Sequence, residues 1–156
     1  MTGSFEKRIM ITGGAGFIGS HVVRLFVRNY PGYLIVNADA LTYAGSLLNL
    51  EGVLDSPRIR FVQEDITNEP AMRALFERER PRAVLNLAAE SHVDRSIDGP
   101  RPFIDTNIVG TFVLLEAARR HKTARFLHVS TDEVYGSIDE PHDADESYPL
   151  KASSPY

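Results

Sequence analysis

The sequence predicts an α/β protein in which helices cover both faces of a parallel sheet. Short apolar and β-branched runs alternate with amphipathic stretches along the chain, as they do in successive strand–helix–strand units. The apolar runs are typical of strands that are buried on both faces. Since the chain has 156 residues, of which 43% are hydrophobic, residues 1–156 are expected to form one domain around one core.

The individual elements follow from these patterns. The predicted strands cover residues 8–12, 34–38, 59–63, 83–87 and 125–130. The predicted helices cover residues 17–29, 69–80 and 103–120, with a weaker helix over 45–54, and Asn68 is placed to cap the helix that begins at 69. The acidic, proline-containing stretch 137–149 indicates a surface loop. Residues 153–156 resemble a helix start, so we expect the sheet to be incomplete at the C-terminus of this chain.

Composition excludes several classes of function. The net charge of −4 provides no basic surface for a phosphate backbone, so no nucleic-acid partner is expected. The absence of cysteine excludes disulfides and zinc–cysteine sites, so no metal site is expected, and it fits a cytoplasmic protein. No apolar run is long enough for a signal peptide or a membrane span, so no association with a membrane is expected.

A glycine-rich turn separates the first predicted strand from the first predicted helix. The glycines can be read as G-x-x-G-x-x-G from Gly13 or as G-x-G-x-x-G from Gly14. Glycines allow a tight turn and a close approach of a pyrophosphate to the backbone, and the N–H groups at the helix start favour anions. An isolated glycine turn can also serve only to reverse the chain, so the motif needs support from its context.

Asp39 supplies that context. It follows the second predicted strand, twenty residues after Gly19, where a carboxylate that binds the ribose of a dinucleotide is expected. Its charge would repel a 2′-phosphate, which favours NAD over NADP as the cofactor. The sequence therefore predicts a Rossmann-type, doubly wound parallel sheet with an NAD site at the carboxyl ends of its strands.

Two further strand ends carry weaker signals. Asp65 and Ile66 follow the third strand and could contact adenine, although an aspartate that caps the next loop is nearly as well supported. Leu87, Ala88 and Ala89 close the fourth strand, and the two alanines would let a flat cofactor lie against it. Small residues also pack well without any ligand, so neither feature is decisive.

Two adjacent carboxylates, Asp132 and Glu133, follow the fifth predicted strand. They lie at the edge where open α/β sheets bind their ligands. Adjacent carboxyl groups can divide the work of acid and base when their surroundings separate their pKa values. A solvated acidic turn is the alternative interpretation.

Five segments in combination resemble the extended short-chain dehydrogenase/reductase family, and within it the dTDP-glucose 4,6-dehydratases. They are residues 13–19, 39–45, 87–97, 105–111 and 130–136, so the likeness extends over nearly the whole chain. One departure is Ala40, where members of this group often have lysine. The resemblance implies NAD as the cofactor, together with a nucleotide-sugar substrate such as dTDP-glucose. The implied cofactor residues are Gly13, Gly16, Phe17, Ile18, Gly19, Asp39, Leu41, Thr42, Asp65, Ile66, Leu87, Ala88, Ala89, Ser91 and Thr106.

The resemblance also implies catalytic roles. Thr131 and Ser91 would bind the sugar, while Asp132 as acid and Glu133 as base would remove water after oxidation at C4. Tyr156 would take the C4 hydroxyl proton as the first residue of a Tyr-x-x-x-Lys motif. Because the lysine position lies beyond residue 156, we expect this chain by itself to be inactive or nearly so.

Other interpretations stay open at this point. A nucleotide-sugar epimerase or decarboxylase shares the glycine turn, Asp39 and the tyrosine, although an epimerase has no use for the acid pair. A non-catalytic NAD-binding module is an alternative of another class. His92 and Arg95 are expected to be structural residues beside Asp94, and the resemblance implies a homodimer formed partly through the helix over 103–120.

Overall fold

The structure is a computed structural model that describes residues 5–138 and 142–156. Its sheet has five parallel strands in the order β3-β2-β1-β4-β5. They are β1 Lys7–Thr12, β2 Tyr33–Asp39, β3 Ile59–Gln63, β4 Ala83–Asn86 and β5 Arg125–His128. Each predicted strand is confirmed to within two residues at its ends. The sheet order reverses between β1 and β4, so the loops that follow β1, β2 and β4 meet at one edge of the sheet.

The helices are α1 Phe17–Asn29, α2 Glu69–Glu79, α3 Val93–Asp98, α4 Arg101–Phe103 and α5 Thr111–Arg120. The predicted cap of α2 is confirmed, because the Asn68 side chain accepts a hydrogen bond from the Ala71 N–H at 3.3 Å. Among the described residues, no helix is both long and apolar enough to cross a membrane.

Three helical regions differ in detail from the expectations. The weak helix over 45–54 is only a 3-10 turn, Leu47–Leu50, in which Leu50 alone is buried, so little apolar surface holds a longer helix there. Helix α3 was not predicted, since its six residues include three charged ones and show no apolar period. The predicted helix over 103–120 is continuous but contains a π-helical segment, Ile104–Gly110.

Among the described residues after Tyr135, none belongs to a helix or strand. Residues 142–149 form the predicted loop, while residues 139–141 of that loop lie outside the described part of the chain. Residues 151–156 are not helical either, so the helix start suggested by the sequence is not present in this structure.

The sheet separates two apolar cores, because side chains alternate between the faces of a strand. On one face Met10 and Val36 pack with α2 and α5, and on the other face Ile11 and Ile35 pack with α1 and the 3-10 turn. Burying one such side chain stabilises a fold by roughly 1.5–3 kcal/mol, so both layers contribute. The doubly wound Rossmann-type fold that the sequence predicts is confirmed.

A buried polar network connects the carboxyl ends of three strands. The Thr12 hydroxyl donates to Asn86 Oδ1 at 2.6 Å, and Asn86 is completely buried. The Asn86 amide donates to the Thr111 hydroxyl at 3.3 Å and lies 3.1 Å from Nδ1 of His128. The network therefore ties β1, β4 and β5 to the first residue of α5.

Glu79, the last residue of α2, is a fully buried carboxylate that contacts two arginines. Its Oε1 accepts hydrogen bonds from Arg60 and Arg78, the latter at 2.7 Å, while its side chain is 0% exposed. Burial raises the pKa of Glu79, but the hydrogen bonds and charges of Arg78 and Arg60 together lower the pKa below its ordinary value. The charged form of Glu79 therefore stabilises the folded protein.

Replacing Glu79 with glutamine is expected to lower the free energy of unfolding at neutral pH by about 2 kcal/mol, because hydrogen bonds to charged groups are lost. The folded-state pKa is depressed, so this stabilisation is present above the unfolded pKa of 4.5 and disappears as the pH falls through the folded value. Urea unfolding at neutral and acidic pH measures it. Glu77→Gln, on the exposed face of α2, is the control; an equal loss for Glu79→Gln at both pH values would contradict the assignment.

Candidate cofactor and catalytic site

A groove that is open to solvent lies at the carboxyl edge of the sheet, and its cavity volume is about 100 Å³. Ten of the residues predicted for the cofactor line it. They are Gly13, Gly16, Asp39, Thr42, Asp65, Ile66, Leu87, Ala88, Ala89 and Thr106. The strand order brings these residues together. They lie at or just after the carboxyl ends of β1, β2, β3 and β4, except for Thr106, which lies in the π-helical segment.

The four positions of the turn differ in why they are occupied by glycine. Gly13 has φ +72°, and a Cβ there would lie 2.6 Å from the backbone nitrogen of Ala88. A Cβ on Gly14 would collide with the Asn37 side chain, and one on Gly19 with the carbonyl oxygen of Gly13. These three glycines are therefore required by the packing of the turn itself.

Gly16 differs from the other three glycines. Its φ of −77° suits any residue, and a Cβ would approach only the carbonyl oxygen of Gly13, at 3.3 Å. Because Gly16 lines the groove, the space that a side chain would take there is space available to a ligand. The protein's own packing does not account for this glycine, whereas a backbone that a pyrophosphate approaches closely does.

Asp39 is held at the groove by its two neighbouring loops. Its Oδ2 accepts a hydrogen bond from the Ala15 N–H at 2.8 Å, and its Oδ1 accepts one from the Leu41 N–H at 2.9 Å. The residue is 8% exposed and lines the groove. A carboxylate has about four acceptor positions, so two stay available for the hydroxyl groups of a ligand.

Asp65 caps the loop after β3, which is one of the two interpretations that the sequence allowed. Its Oδ1 accepts hydrogen bonds from both the N–H and the hydroxyl of Thr67, each at 2.8 Å. Ile66 is 4% exposed and packs in the core below the groove. Asp65 nevertheless lines the groove, and its Oδ2 makes no described hydrogen bond.

Five predicted cofactor residues do not line the groove. The side chains of Phe17 and Ile18 are 81% and 61% exposed, and the Phe17 ring packs edge-on against His21. These two residues open α1, where backbone N–H groups without helical partners can still bind an anion. The remaining three are Gly19, Leu41 and Ser91.

Several residues that shape the groove were not assigned to it from the sequence. Asn107 does not line the groove but holds its wall, because its Oδ1 accepts a hydrogen bond from the Glu90 N–H at 2.8 Å and its amide donates to the Glu90 carbonyl at 2.9 Å. The signal in the sequence was a run of three polar residues, 105–107, between Ile104 and Ile108. Glu90, between the predicted residues Ala89 and Ser91, also lines the groove, and the lining residues that were not predicted are Ala38, Ala40, Ala44, Gly45 and Glu64.

The residues proposed for acid–base chemistry form one 3-10 turn after β5, Asp132–Tyr135, which Thr131 caps. The Thr131 hydroxyl accepts from the Glu133 N–H at 3.2 Å and donates to Asp132 Oδ1 at 3.3 Å. Asp132 is exposed and Glu133 is half-buried, so the two carboxyl groups have different surroundings. Neither of them lines the groove.

Tyr156 packs on the helical stretch that carries Thr106. Its ring meets the buried Phe103 edge-on, with ring centroids 6.1 Å apart. The segment before it lies along the turn after β5, because the Lys151 N–H donates to the Val134 carbonyl at 2.9 Å. In the described part of the chain, no hydrogen bond joins Tyr156 to Thr131, Asp132 or Glu133.

The predicted pairing of Arg95 with Asp94 is wrong. Helix α3 turns Arg95 toward the loop after β2, where its guanidinium carbon lies 4.1 Å from the ring centroid of Tyr43. Its nearest carboxylate is that of Glu90, at 3.9 Å. His92 precedes α3 with φ +118° and its side chain makes no capping hydrogen bond. Within residues 5–138 and 142–156, no group of three or more histidines or carboxylates could hold a metal ion.

The sheet order, the glycine turn and Asp39 together define a Rossmann-type domain. The family model described as GDP-mannose 4,6 dehydratase matches residues 10–156, and the chain belongs to that family. The resemblance that the five sequence segments indicate is thereby confirmed.

Individual relatives agree with this. A dTDP-glucose 4,6-dehydratase of Shigella flexneri is 51% identical over 96% of this chain and 46% of its own length. A solved dTDP-glucose 4,6-dehydratase of Streptomyces venezuelae with NAD bound matches with TM-score 0.88 and 46% identity, over 96% of this chain and 47% of that one. A UDP-Glc/GlcNAc 4-epimerase of Campylobacter jejuni matches with TM-score 0.89 and 32% identity, over 96% and 44%. The chain spans about half the length of the curated relatives it matches.

Proposed function

We propose that the protein is a nucleotide-sugar 4,6-dehydratase that converts dTDP-glucose to dTDP-4-keto-6-deoxyglucose with NAD as its cofactor. The observation that carries the proposal is the groove at the reversal of strand order, which Gly16 and Asp39 both line. Strand β5, on the β4 side of β1, is followed by the 3-10 turn that contains the adjacent acids Asp132 and Glu133. Relatives that bear this name, one of them 51% identical, support it.

Two features of the groove support the binding of an adenosine pyrophosphate. Gly16 leaves room for a pyrophosphate against the backbone, and Asp39 offers acceptor positions to ribose hydroxyl groups. The same carboxylate would repel a 2′-phosphate, which supports NAD over NADP. When bound there, NAD supplies an acceptor for the C4 hydride and later returns that hydride to C6.

Residues of this chain would carry out the proton transfers. Tyr156 takes the C4 hydroxyl proton as that carbon becomes a ketone, which makes the C5 proton acidic. Glu133 then takes the C5 proton, and Asp132 gives a proton to the departing C6 hydroxyl, which leaves as water. After the hydride is returned to C6, Glu133 gives its proton back to C5. Tyr156 releases its proton to solvent and Asp132 takes one from solvent, so the balance is one sugar in and one keto sugar plus one water out.

The division of roles between the two acids follows the resemblance stated from the sequence. The structure places both acids in the one 3-10 turn after β5, where the Thr131 hydroxyl donates to Asp132 and accepts from the Glu133 N–H. Thr131 and Ser91 complete the proposal as residues that bind the sugar.

The proposal includes a homodimer in the cytoplasm. The helical stretch from α4 to α5 exposes Ile108, Phe112 and Leu115 to 63%, 60% and 46%, which supports a partner helix packing on it. A cytoplasmic location follows from the proposed chemistry, since NAD and nucleotide sugars are charged molecules that do not cross membranes freely.

The fold does not discriminate between dehydratase and epimerase, because the epimerase of Campylobacter jejuni matches with TM-score 0.89. The acid pair favours the dehydratase, since an epimerase removes no water at C5 and C6. A decarboxylase and a non-catalytic NAD-binding module are the other outcomes that an experiment has to separate.

The intact protein is expected to convert dTDP-glucose deuterated at C4 into a 4-keto-6-deoxy product with deuterium at C6, without net consumption of NAD. Mass spectrometry and NMR of the product measure this, with NADP in place of NAD and with UDP-glucose or GDP-mannose as comparison substrates. A C4 epimer without loss of water would indicate an epimerase, and loss of carbon dioxide from a uronic-acid substrate would indicate a decarboxylase. NAD binding without turnover of any substrate would indicate a binding module.

A further inference from the structure

Tyr43 connects two loops that follow different strands. Its hydroxyl donates to the carbonyl oxygen of Ser91 at 3.2 Å, and the Arg95 guanidinium lies over its ring at 4.1 Å from the centroid. Tyr43 belongs to the loop after β2, while Ser91 and Arg95 follow β4. We call these two contacts of Tyr43, with Ser91 and with Arg95, the Tyr43 clasp.

The clasp crosses the mouth of the groove. Strands β2 and β4 are the two neighbours of β1, so their loops lie on opposite sides of the glycine turn that follows β1. Thr42 and Ala44, on either side of Tyr43, line one wall of the groove, and Glu90, next to Ser91, lines the other. A bridge from Tyr43 to Ser91 therefore spans the groove opposite the glycine turn, where a pyrophosphate would lie.

Both ends of the clasp are firmly attached to the fold. Asn107 holds the backbone of Glu90 by two hydrogen bonds, and the Asp39 carboxylate holds the Leu41 N–H. The clasp contacts themselves are exposed, since Tyr43 is 58% exposed and the Arg95 side chain 50%. Contacts of this kind are weak enough to break and re-form while their supports stay in place.

The backbone beside the clasp is strained. Leu41 has φ +54° and His92 has φ +118°, and neither residue is glycine. Such conformations persist only where surrounding contacts hold them, and they occur at ligand clamps and switch regions. The hydrogen bonds of Asp39 and Asn107 hold the two loops, so these conformations can persist when the clasp opens.

We propose that the Tyr43 clasp is a gate that a dinucleotide must open both to enter and to leave the groove. The proposal rests on the proposed NAD site. It adds that the two contacts of Tyr43 set the rate of cofactor exchange. A gate of this kind slows entry and exit by the same factor, so it controls both rate constants while leaving the dissociation constant almost unchanged.

The test compares Tyr43→Ala, Tyr43→Phe and Arg95→Met with the unchanged intact protein, after co-purified dinucleotide has been removed. Association is followed by rapid mixing with NADH and its fluorescence, and dissociation by displacing bound NADH with excess NAD. Tyr43→Ala removes both contacts and is expected to raise both rate constants roughly tenfold. Tyr43→Phe and Arg95→Met each remove one contact and are expected to raise both roughly threefold.

Matched controls are Tyr30→Phe and Arg119→Met, because Tyr30 stacks on Tyr33 and Arg119 pairs with Glu116, away from the groove. Both controls are expected to exchange NADH at the unchanged rates. A rise in the dissociation rate alone, with an equal rise in the dissociation constant, would overturn the gate and make Tyr43 a ligand contact. Unchanged rates in all variants would also overturn it. If the unchanged protein binds no NADH at all, the proposed cofactor site itself fails.

Discussion

Changing Asp132 to asparagine or Glu133 to glutamine in the intact protein is expected to slow product formation by roughly 10²–10⁴-fold, the usual contribution of a general acid or base. The two variants should stop the reaction at different steps. Without Glu133 the C5 proton stays in place, whereas without Asp132 that proton can still leave and return although the C6 hydroxyl cannot. The Thr131 cap should keep the turn folded in both variants, because it uses the backbone N–H of residue 133.

The measurement that separates the two roles is exchange at C5 in heavy water. Sugar recovered from the Asp132→Asn reaction is expected to contain deuterium at C5, while sugar from the Glu133→Gln reaction is expected to contain none. Asp98→Asn and Glu77→Gln serve as controls, since both side chains are exposed and lie away from β5. Full product formation by either acid variant would remove that residue from the mechanism.

Alanine substitutions at Gly13 and Gly16 are expected to have opposite consequences. Gly13→Ala should lower the free energy of unfolding by about 2–5 kcal/mol, because it places a side chain at positive φ and against the backbone of Ala88. Gly16→Ala should leave that free energy within about 1 kcal/mol of the original value, since its φ is ordinary and the Cβ meets only one oxygen. It should nevertheless weaken NAD binding at least about tenfold, because the methyl group occupies the groove.

Urea unfolding and calorimetric titration with NAD measure the two effects on the same samples. Each variant is the control for the other, since both make the same chemical change three residues apart. Unaltered NAD affinity in Gly16→Ala would show that no pyrophosphate lies against this turn, and the placement of the cofactor would have to be abandoned. A stable Gly13→Ala protein would contradict the packing described for the turn.

The sequence predicted the strands well because their signal is local. Strand β2, for example, is a short, mostly apolar run in which six of seven residues are buried, and such a run indicates a strand without reference to distant parts of the chain. Asp39 was found for a similar reason, since its distance from Gly19 is fixed by one helix and one strand. The cap of α2 by Asn68 depends only on residues within one turn and was also predicted.

Features that depend on contacts between distant segments were missed. The π-helical segment brings Asn107 to the backbone of Glu90, and nothing near residue 107 in the sequence indicates that partner. Arg95 was assigned to its sequence neighbour Asp94, but its partners are Tyr43, far back in the chain, and Glu90. Phe17 and Ile18 were assigned to the cofactor by resemblance; their side chains are exposed and do not line the groove, so a role in binding through their backbone N–H groups stays a prediction.

The hydrogen bonds around Asn86 connect the two parts of the candidate site. Thr12 is the last residue of the strand beneath the glycine turn, and His128 is three residues before Thr131. The bond between Thr12 and Asn86 is buried, whereas His128 at the other end is exposed, so the connection is protected from water on the β1 side only. In the proposed function, this connection would help to set the distance between the cofactor and the two acids before a substrate binds.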